Sequence, residues 1–225
     1  MILNHIVRLK RLIKENVKNK RVTSILGRMF YKISIVIIWF RNHWFKSSVF
    51  LFEYETTMAS LFPGKILDKT LEITQPRTVL DLGCGVGKTL DYFISQGIDC
   101  YGIEGSPVAI LKANNPNRIF QFNLSKELNL YKKYDLIWSF EFVEHIHPKF
   151  INNLMKTFEN HSNTVVMSAA QPFQGGDGHF NEQPQSYWVA QFKRYGYELN
   201  FKKTEELRHV DEQFSGNMYF FEKKT

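Results

Sequence analysis

Twelve residues, Thr78 to Thr89 (TVLDLGCGVGKT), constrain this chain more than any other stretch. An apolar run ends at Asp81, glycines follow at 83, 85 and 87, and apolar residues recur at Leu90, Tyr92, Phe93 and Ile94. That succession predicts a buried strand, a glycine turn and a helix. Glycine admits positive φ and lets a ligand approach the main chain closely. The first amides of the new helix then face that ligand. A second run, Asp99 to Glu104 (DCYGIE), ends in an acid 21 positions beyond Gly83. A carboxylate so placed on the neighbouring strand can hold ribose hydroxyls. Loop and acid together predict a crevice for a nucleoside; the alternative is a tight turn with no ligand.

Two nucleotides fit this loop poorly. The dinucleotide fingerprint is G-x-G-x-x-G, whereas the glycines here are G-x-G-x-G, and Asp81 would repel a pyrophosphate. Gly87-Lys88-Thr89 looks like the end of a P-loop, but that motif needs a glycine five positions earlier, where this chain has Leu82. The segment instead resembles motif I of class I S-adenosylmethionine-dependent methyltransferases, D/E-x-G-x-G-x-G, and the resemblance runs from about Thr78 to Gly196. It implies that Asp81 lies near the methionine amino group, that Gly83, Gly85 and Gly87 line the donor, and that Glu104 holds the ribose. Cys84, Gly105, Ser106, Leu124 and Phe140 complete the implied donor site. Many such enzymes place Asp after the third strand, near the adenine amino group. Here the residue is Asn123, whose side-chain oxygen can still accept that hydrogen bond, without charge.

Length and charge divide the chain unevenly. Its 225 residues fit one domain plus an extension. Residues 1–52 hold 11 Lys/Arg against a single acid, Glu15, so with a whole-chain charge of +7 the remaining 173 residues are net −3. Ile2, Ile6, Leu9, Ile13 and Val17 lie at helical spacing among basic residues over 1–22. Such a helix can lie on an anionic membrane, approach nucleic acid or cap the core. Residues 25–52 are strongly apolar, but Arg28, Lys32, Arg41 and Lys46 interrupt them. No uncharged run approaches the roughly 20 residues of a spanning helix. The expected division is a helical extension, 1–52, and a methyltransferase domain, 53–225. Tyr54, Glu55 and Thr56 could contact the acceptor or be plain surface residues. Cys84 and Cys100 give neither a disulfide framework nor metal spacing, which suits reduced thiols and a cytoplasmic protein, peripheral to a membrane if the extension binds one.

The rest of the chain alternates strands and helices. Lys65 to Leu71 and Pro107 to Ala113 read as helices. Strands are expected at 118–124, 134–139, 163–170, 197–201 and 218–222, with a helix ending at Gly196. Lys202 to Asn217 is polar and carries little signal. The expected fold is α/β: a Rossmann-like, mostly parallel seven-stranded sheet with helices on both faces, plus the N-terminal helical extension.

Two stretches carry the remaining chemistry. FEFVEHIHP, Phe140 to Pro148, follows the fourth strand; on one helical turn Glu141, Glu144 and His145 would share a face. Two carboxylates and an imidazole suit Mg²⁺ or Mn²⁺ better than zinc. The second stretch, QPFQGGDGHFNEQPQSYW from Gln171 to Trp188, is a shaped glycine loop carrying His179. E-x-x-E-H resembles segments in small-RNA 2′-O-methyltransferases, which add a later His, and in catechol-type ubiquinone-pathway enzymes. By that resemblance Glu141, Glu144, His145 and His179 are the candidate metal ligands. Without metal, His145 and His179 are candidate bases, or His179 simply positions substrate, and Glu141 is a further catalytic candidate. The second stretch resembles a methyltransferase subgroup linked to glycan and polysaccharide biosynthesis. The expectation is therefore O-methyl transfer to a sugar or glycan hydroxyl, with a membrane or glycosyltransferase contact through residues 1–52. RNA 2′-O-methylation is the second reading, disfavoured by the slightly acidic core. A donor-binding interaction module without catalysis is the third.

Overall fold

The computed structural model describes residues 62–176 and 178–223. The basic and apolar extension, 1–52, and Tyr54, Glu55 and Thr56 lie outside the described residues.

Helix α1 (Gly64–Thr74) enters through Pro63 and buries Ile66, Leu67 and Thr70. β1 (Thr78–Leu82) follows, then α2 (Lys88–Ser95), β2 (Asp99–Glu104) and the short α3 (Pro107–Leu111). β3 (Ile119–Gln121) is shorter than its apolar run, because the chain turns at Asn123, whose Oδ1 accepts the Ser125 N–H at 3.0 Å. β4 (Leu136–Ser139), α4 (Ile151–His161), β5 (Thr164–Ser168) and α5 (Gln185–Lys193) come next. β6 (Tyr197–Leu199) stops where Asn200 caps α6 (Phe201–His209), accepting the Lys203 N–H at 3.0 Å. Apart from Phe201, which was expected to end the strand, this helix lies in the polar stretch that carried little sequence signal; it buries only Thr204 and Leu207, too little for a visible period. β7 (Met218–Lys223) ends the described chain.

The sheet order is β3-β2-β1-β4-β5-β7-β6. The first five strands in that order pair parallel, and β7 pairs antiparallel with both β5 and β6. The expected seven-stranded, mostly parallel sheet is what forms. Strands covered on both faces read as continuous apolar runs, and β4 is buried at all four positions. Alternation divides each strand between two cores. Leu80, Tyr219 and Phe221 face a layer containing Leu154 and Phe158 of α4 and Trp188 and Phe192 of α5. Val79, Met218 and Phe220 face the opposite layer with Leu67 of α1, Leu90 and Phe93 of α2, and Leu207 of α6. Burying each such large apolar side chain is worth about 1.5–3 kcal/mol relative to exposure.

The chain runs from β1 outward to β2 and β3, then returns past β1 to β4. The order therefore reverses between β1 and β4, and ligands of open α/β sheets bind outside the carboxyl ends of the strands at such a point.

Candidate active site

Four loops meet at that edge, following β1, β2, β4 and β5. The first is built by its glycines. Gly83, Gly85 and Gly87 have φ of 76°, 56° and 78°, the left-handed region that disfavours any side chain. A Cβ at Gly83 would also lie 2.2 Å from the Phe142 ring. Gly83 N–H and Cys84 N–H both donate to the Ile103 carbonyl, at 2.9 and 3.2 Å, so the turn is clipped to β2. Glu104 ties the two loops further. Its Oε2 accepts the Gly85 N–H at 2.9 Å and its Oε1 accepts the Ser106 N–H at 2.7 Å. A carboxylate has about four acceptor positions, so two remain for ribose hydroxyls.

Asp81 sits beneath the turn, 1% exposed. Burial is the main cause lifting its carboxyl to about 7; the Glu104 charge adds to this, and a 2.5 Å hydrogen bond donated by Thr89 opposes it. No side chain caps α2, which leaves its first amides facing the crevice. Cys84 is buried, and burial with the neighbouring acids pushes its thiol up. It packs over Gly102, where a Cβ would lie 2.5 Å from the Cys84 sulfur.

The other residues expected at the donor site fall around this frame. Gly105 and Ser106 follow β2, and Ser106 caps α3. Leu124 is buried, and Asn123 spends its side-chain oxygen on the Ser125 amide, which leaves that oxygen one further lone pair. Phe140 stacks on Trp138 and meets Phe214 edge-on. The ring against the glycine turn is Phe142, which the sequence did not single out.

The acceptor end differs from the expected single helical face. Glu141 has a φ of 50°, outside any helix, and only Val143–His145 form a 3₁₀ turn. The reason is a clip between strands: Glu141 N–H donates to Ser168 Oγ at 2.6 Å, and that hydroxyl donates back to Glu141 Oε1 at 2.8 Å. Burial raises the Glu141 carboxyl, with Ser168 and the His179 charge opposing.

Glu144 turns the other way, into the protein. It is fully buried, and neither carboxylate oxygen makes a well-formed hydrogen bond, with only the backbone amides of Glu144 and Ala170 near enough to favour its charge. Burial, then the Glu141 charge, raises its carboxyl to about 8. Its backbone carbonyl accepts the N–H groups of Phe180 and Asn181, at 2.9 and 3.0 Å, and so anchors the glycine loop. His145 and His179 come together despite their separation in sequence, ring centres 5.0 Å apart and nearly perpendicular. His145 Nδ1 bonds the Gly178 carbonyl at 3.1 Å, and burial lowers its pKa to about 4, with the His179 charge adding. His179 Nδ1 meets Glu182 Oε1 at 3.1 Å. Glu182 is the second residue that the sequence reading passed over; its place three positions after His179 was the available signal.

Among the described residues no group of three or more His, Cys, Asp or Glu stands arranged to hold a metal ion. Nor is any described helix long and apolar enough to cross a membrane.

The family described as a methyltransferase domain matches residues 54–209. Norajmaline N-methyltransferase of Rauvolfia serpentina is 34% identical over 108 residues, covering 43% of this chain and 37% of that protein. The chain thus spans little more than a third of that relative's length. The sugar N-methyltransferase KedS8 from Streptoalloteichus superposes with a TM-score of 0.63 at 12% identity, covering 78% of this chain and 94% of that one. The methyltransferase domain of bacterial CtHen1-C gives 0.56 at 19% identity, covering 72% and 97%. The TehB-like S-adenosylmethionine-dependent protein of Corynebacterium glutamicum gives 0.58 at 18%, covering 76% and 94%. These three are likenesses of fold.

Proposed function

The chain belongs to the methyltransferase-domain family, and we propose that it moves the methyl group of S-adenosylmethionine to a hydroxyl of a sugar or glycan, with His179 as the base. The observation that carries this is an imidazole held by a carboxylate, His179 on Glu182, at the edge where the strand-end loops meet. An alcohol must lose its proton as it attacks, so it needs such a base; an amine needs less. With Nδ1–H donating to Glu182, the bare Nε2 is the acceptor of the substrate proton.

In this reading Asp81 takes the methionine ammonium and Glu104 the ribose, with Asn123 and Leu124 beside the adenine. The acceptor oxygen attacks the methyl carbon in line, the new C–O bond forms as the C–S bond breaks, and the sulfonium becomes neutral thioether. The hydroxyl proton passes to His179 Nε2, and Glu182 faces the resulting imidazolium. A sugar or glycan acceptor is the reading taken from the sequence resemblance of the 171–188 stretch to a methyltransferase subgroup linked to glycan biosynthesis, and a sugar N-methyltransferase is among the proteins of similar fold. Residues 1–52, net +10, would hold the domain at an anionic surface or a glycosyltransferase, on the cytoplasmic side.

Divalent metal is the second reading, favoured by the buried carboxylate of Glu144, which makes no well-formed hydrogen bond. As arranged, the four expected ligands do not form a donor set: Ser168 occupies Glu141, and Gly178 and Glu182 occupy the Nδ1 atoms of His145 and His179.

The test incubates the full chain and labelled S-adenosylmethionine with a panel of nucleotide sugars, polysaccharides and amines. The expected product is a methyl ether, with turnover reduced at least 100-fold in His179→Gln while S-adenosylhomocysteine binds as before. Methylated amines alone, or full activity in His179→Gln, would overturn the proposal.

A further inference from the structure

Glu182 does more than touch His179. Its Oε2 accepts the Phe173 N–H at 3.0 Å, and its Oε1 accepts the Gly175 N–H at 2.7 Å as well as the His179 Nδ1–H. One carboxylate thus receives three donors, and hydrogen bonds to a charged acceptor are the strong ones. What it holds in place is costly. Phe173 has a φ of 69°, a region that large side chains avoid, and its ring is 99% exposed. Neither feature helps the chain fold.

Tyr131 shows the contrast. It too is exposed with positive φ, but its amide is held by Asn129, two residues away, in a local turn. Phe173 is held by a residue nine positions on that also holds the candidate base. Gly176 lies against that base, since a Cβ there would sit 2.4 Å from His179 Nε2.

We propose that Glu182 is the positioning residue of the acceptor end: the same carboxylate sets the His179 tautomer and fixes the loop that presents Phe173 to the acceptor. This rests on the reading of His179 as the base. With Nδ1–H committed to Glu182, the lone pair is left on Nε2, beside Gly176. The ring of Phe173, almost wholly exposed, offers a flat apolar face to the C–H face of a sugar. Acceptor seating against the loop and orientation of the base then share one anchor.

The experiment uses the full chain, labelled with ¹⁵N in histidine and saturated with S-adenosylhomocysteine, so that no acceptor is needed. In the wild type, His179 is expected as the Nδ1–H form. In Glu182→Ala it reverts to the mixture or Nε2–H form of a free imidazole, and the Phe173 and Gly175 amides exchange at least tenfold faster. Glu182→Gln guards against a variant that fails to fold. Its amide must turn N–H toward at least one former donor, so either Phe173 or the Gly175–His179 pair is released. An unchanged His179 spectrum with unchanged amide exchange in both variants overturns the proposal. With an acceptor in hand, Phe173→Ala is expected to raise its KM about tenfold with kcat within twofold, and Phe173→Trp to restore it; an unchanged KM overturns the role of the ring. Failure of the base assignment reads differently, as full activity in His179→Gln with the Glu182 signatures intact.

Discussion

Replacing Thr89 by Val removes one hydroxyl from a buried site and leaves nearly the same shape. That hydroxyl donates to Asp81 Oδ2 at 2.5 Å. Burial lifts the Asp81 carboxyl to about 7 even with this bond in place. A hydrogen bond to a charged group is worth about 1.5–3 kcal/mol, and a pKa unit about 1.4 kcal/mol, so the carboxyl of the variant titrates about 1–2 units higher. If ionised Asp81 receives the donor's ammonium, affinity for S-adenosylhomocysteine falls about tenfold per pH unit below that carboxyl's pKa. Calorimetric titrations between pH 5.5 and 8.5 should therefore give a wild-type affinity that levels off above about 7, and a variant affinity still climbing at the upper end. Linkage fixes the sign for stability too. The free folded protein keeps a proton that the unfolded chain releases above 3.8, so Asp81's contribution is full below that value and is lost as pH rises through about 7. A flat wild-type affinity across the range, or the same midpoint in Thr89→Val, would refute the reasoning.

Gly83→Ala should lower the melting temperature and abolish donor binding, because a Cβ there combines a φ of 76° with ring atoms of Phe142 at 2.2 Å; wild-type melting and binding would count against the loop geometry. His161 is buried with Nδ1–H donating to the Thr157 carbonyl at 2.7 Å and Nε2 accepting the Leu130 N–H at 2.9 Å. Burial lowers its pKa, aided by the Lys133 charge, so its contribution is full above 6.5 and drains away as pH falls below it. Chemical denaturation should show that slope in the wild type and its loss in His161→Leu, which should also be about 1–3 kcal/mol less stable at pH 8 from an orphaned amide. Mn²⁺ added to the protein saturated with S-adenosylhomocysteine should remain free by paramagnetic resonance; tight binding abolished by Glu144→Gln would replace the base reading with the metal one.

The donor end was legible because its information is local. Three glycines in five positions dictate a left-handed turn wherever they fall, and an apolar run ahead of them makes the strand that carries it. Glu104 could be placed because one helix and two short turns bring it back beside that strand. The acceptor end was legible only as a set of residue types. Glu141 and Glu144, three apart, looked like one face, yet Ser168, 27 positions away, captures the first and leaves the second buried. Phe142 was invisible for the same reason, since what selects it is the Gly83 turn on another strand.

Residue order by itself determined the α/β alternation, the donor loop with its acid, and the presence of imidazoles and carboxylates after the fourth and fifth strands. Only the tertiary structure decided which of them meet. It joined His179 to His145, committed Glu182 to His179 and to the Phe173 loop, and turned Glu144 inward. Periodicity and turn chemistry act over a few residues. Side-chain pairing across a crevice is set by sheet order and strand register, and these follow from burying two apolar layers at once.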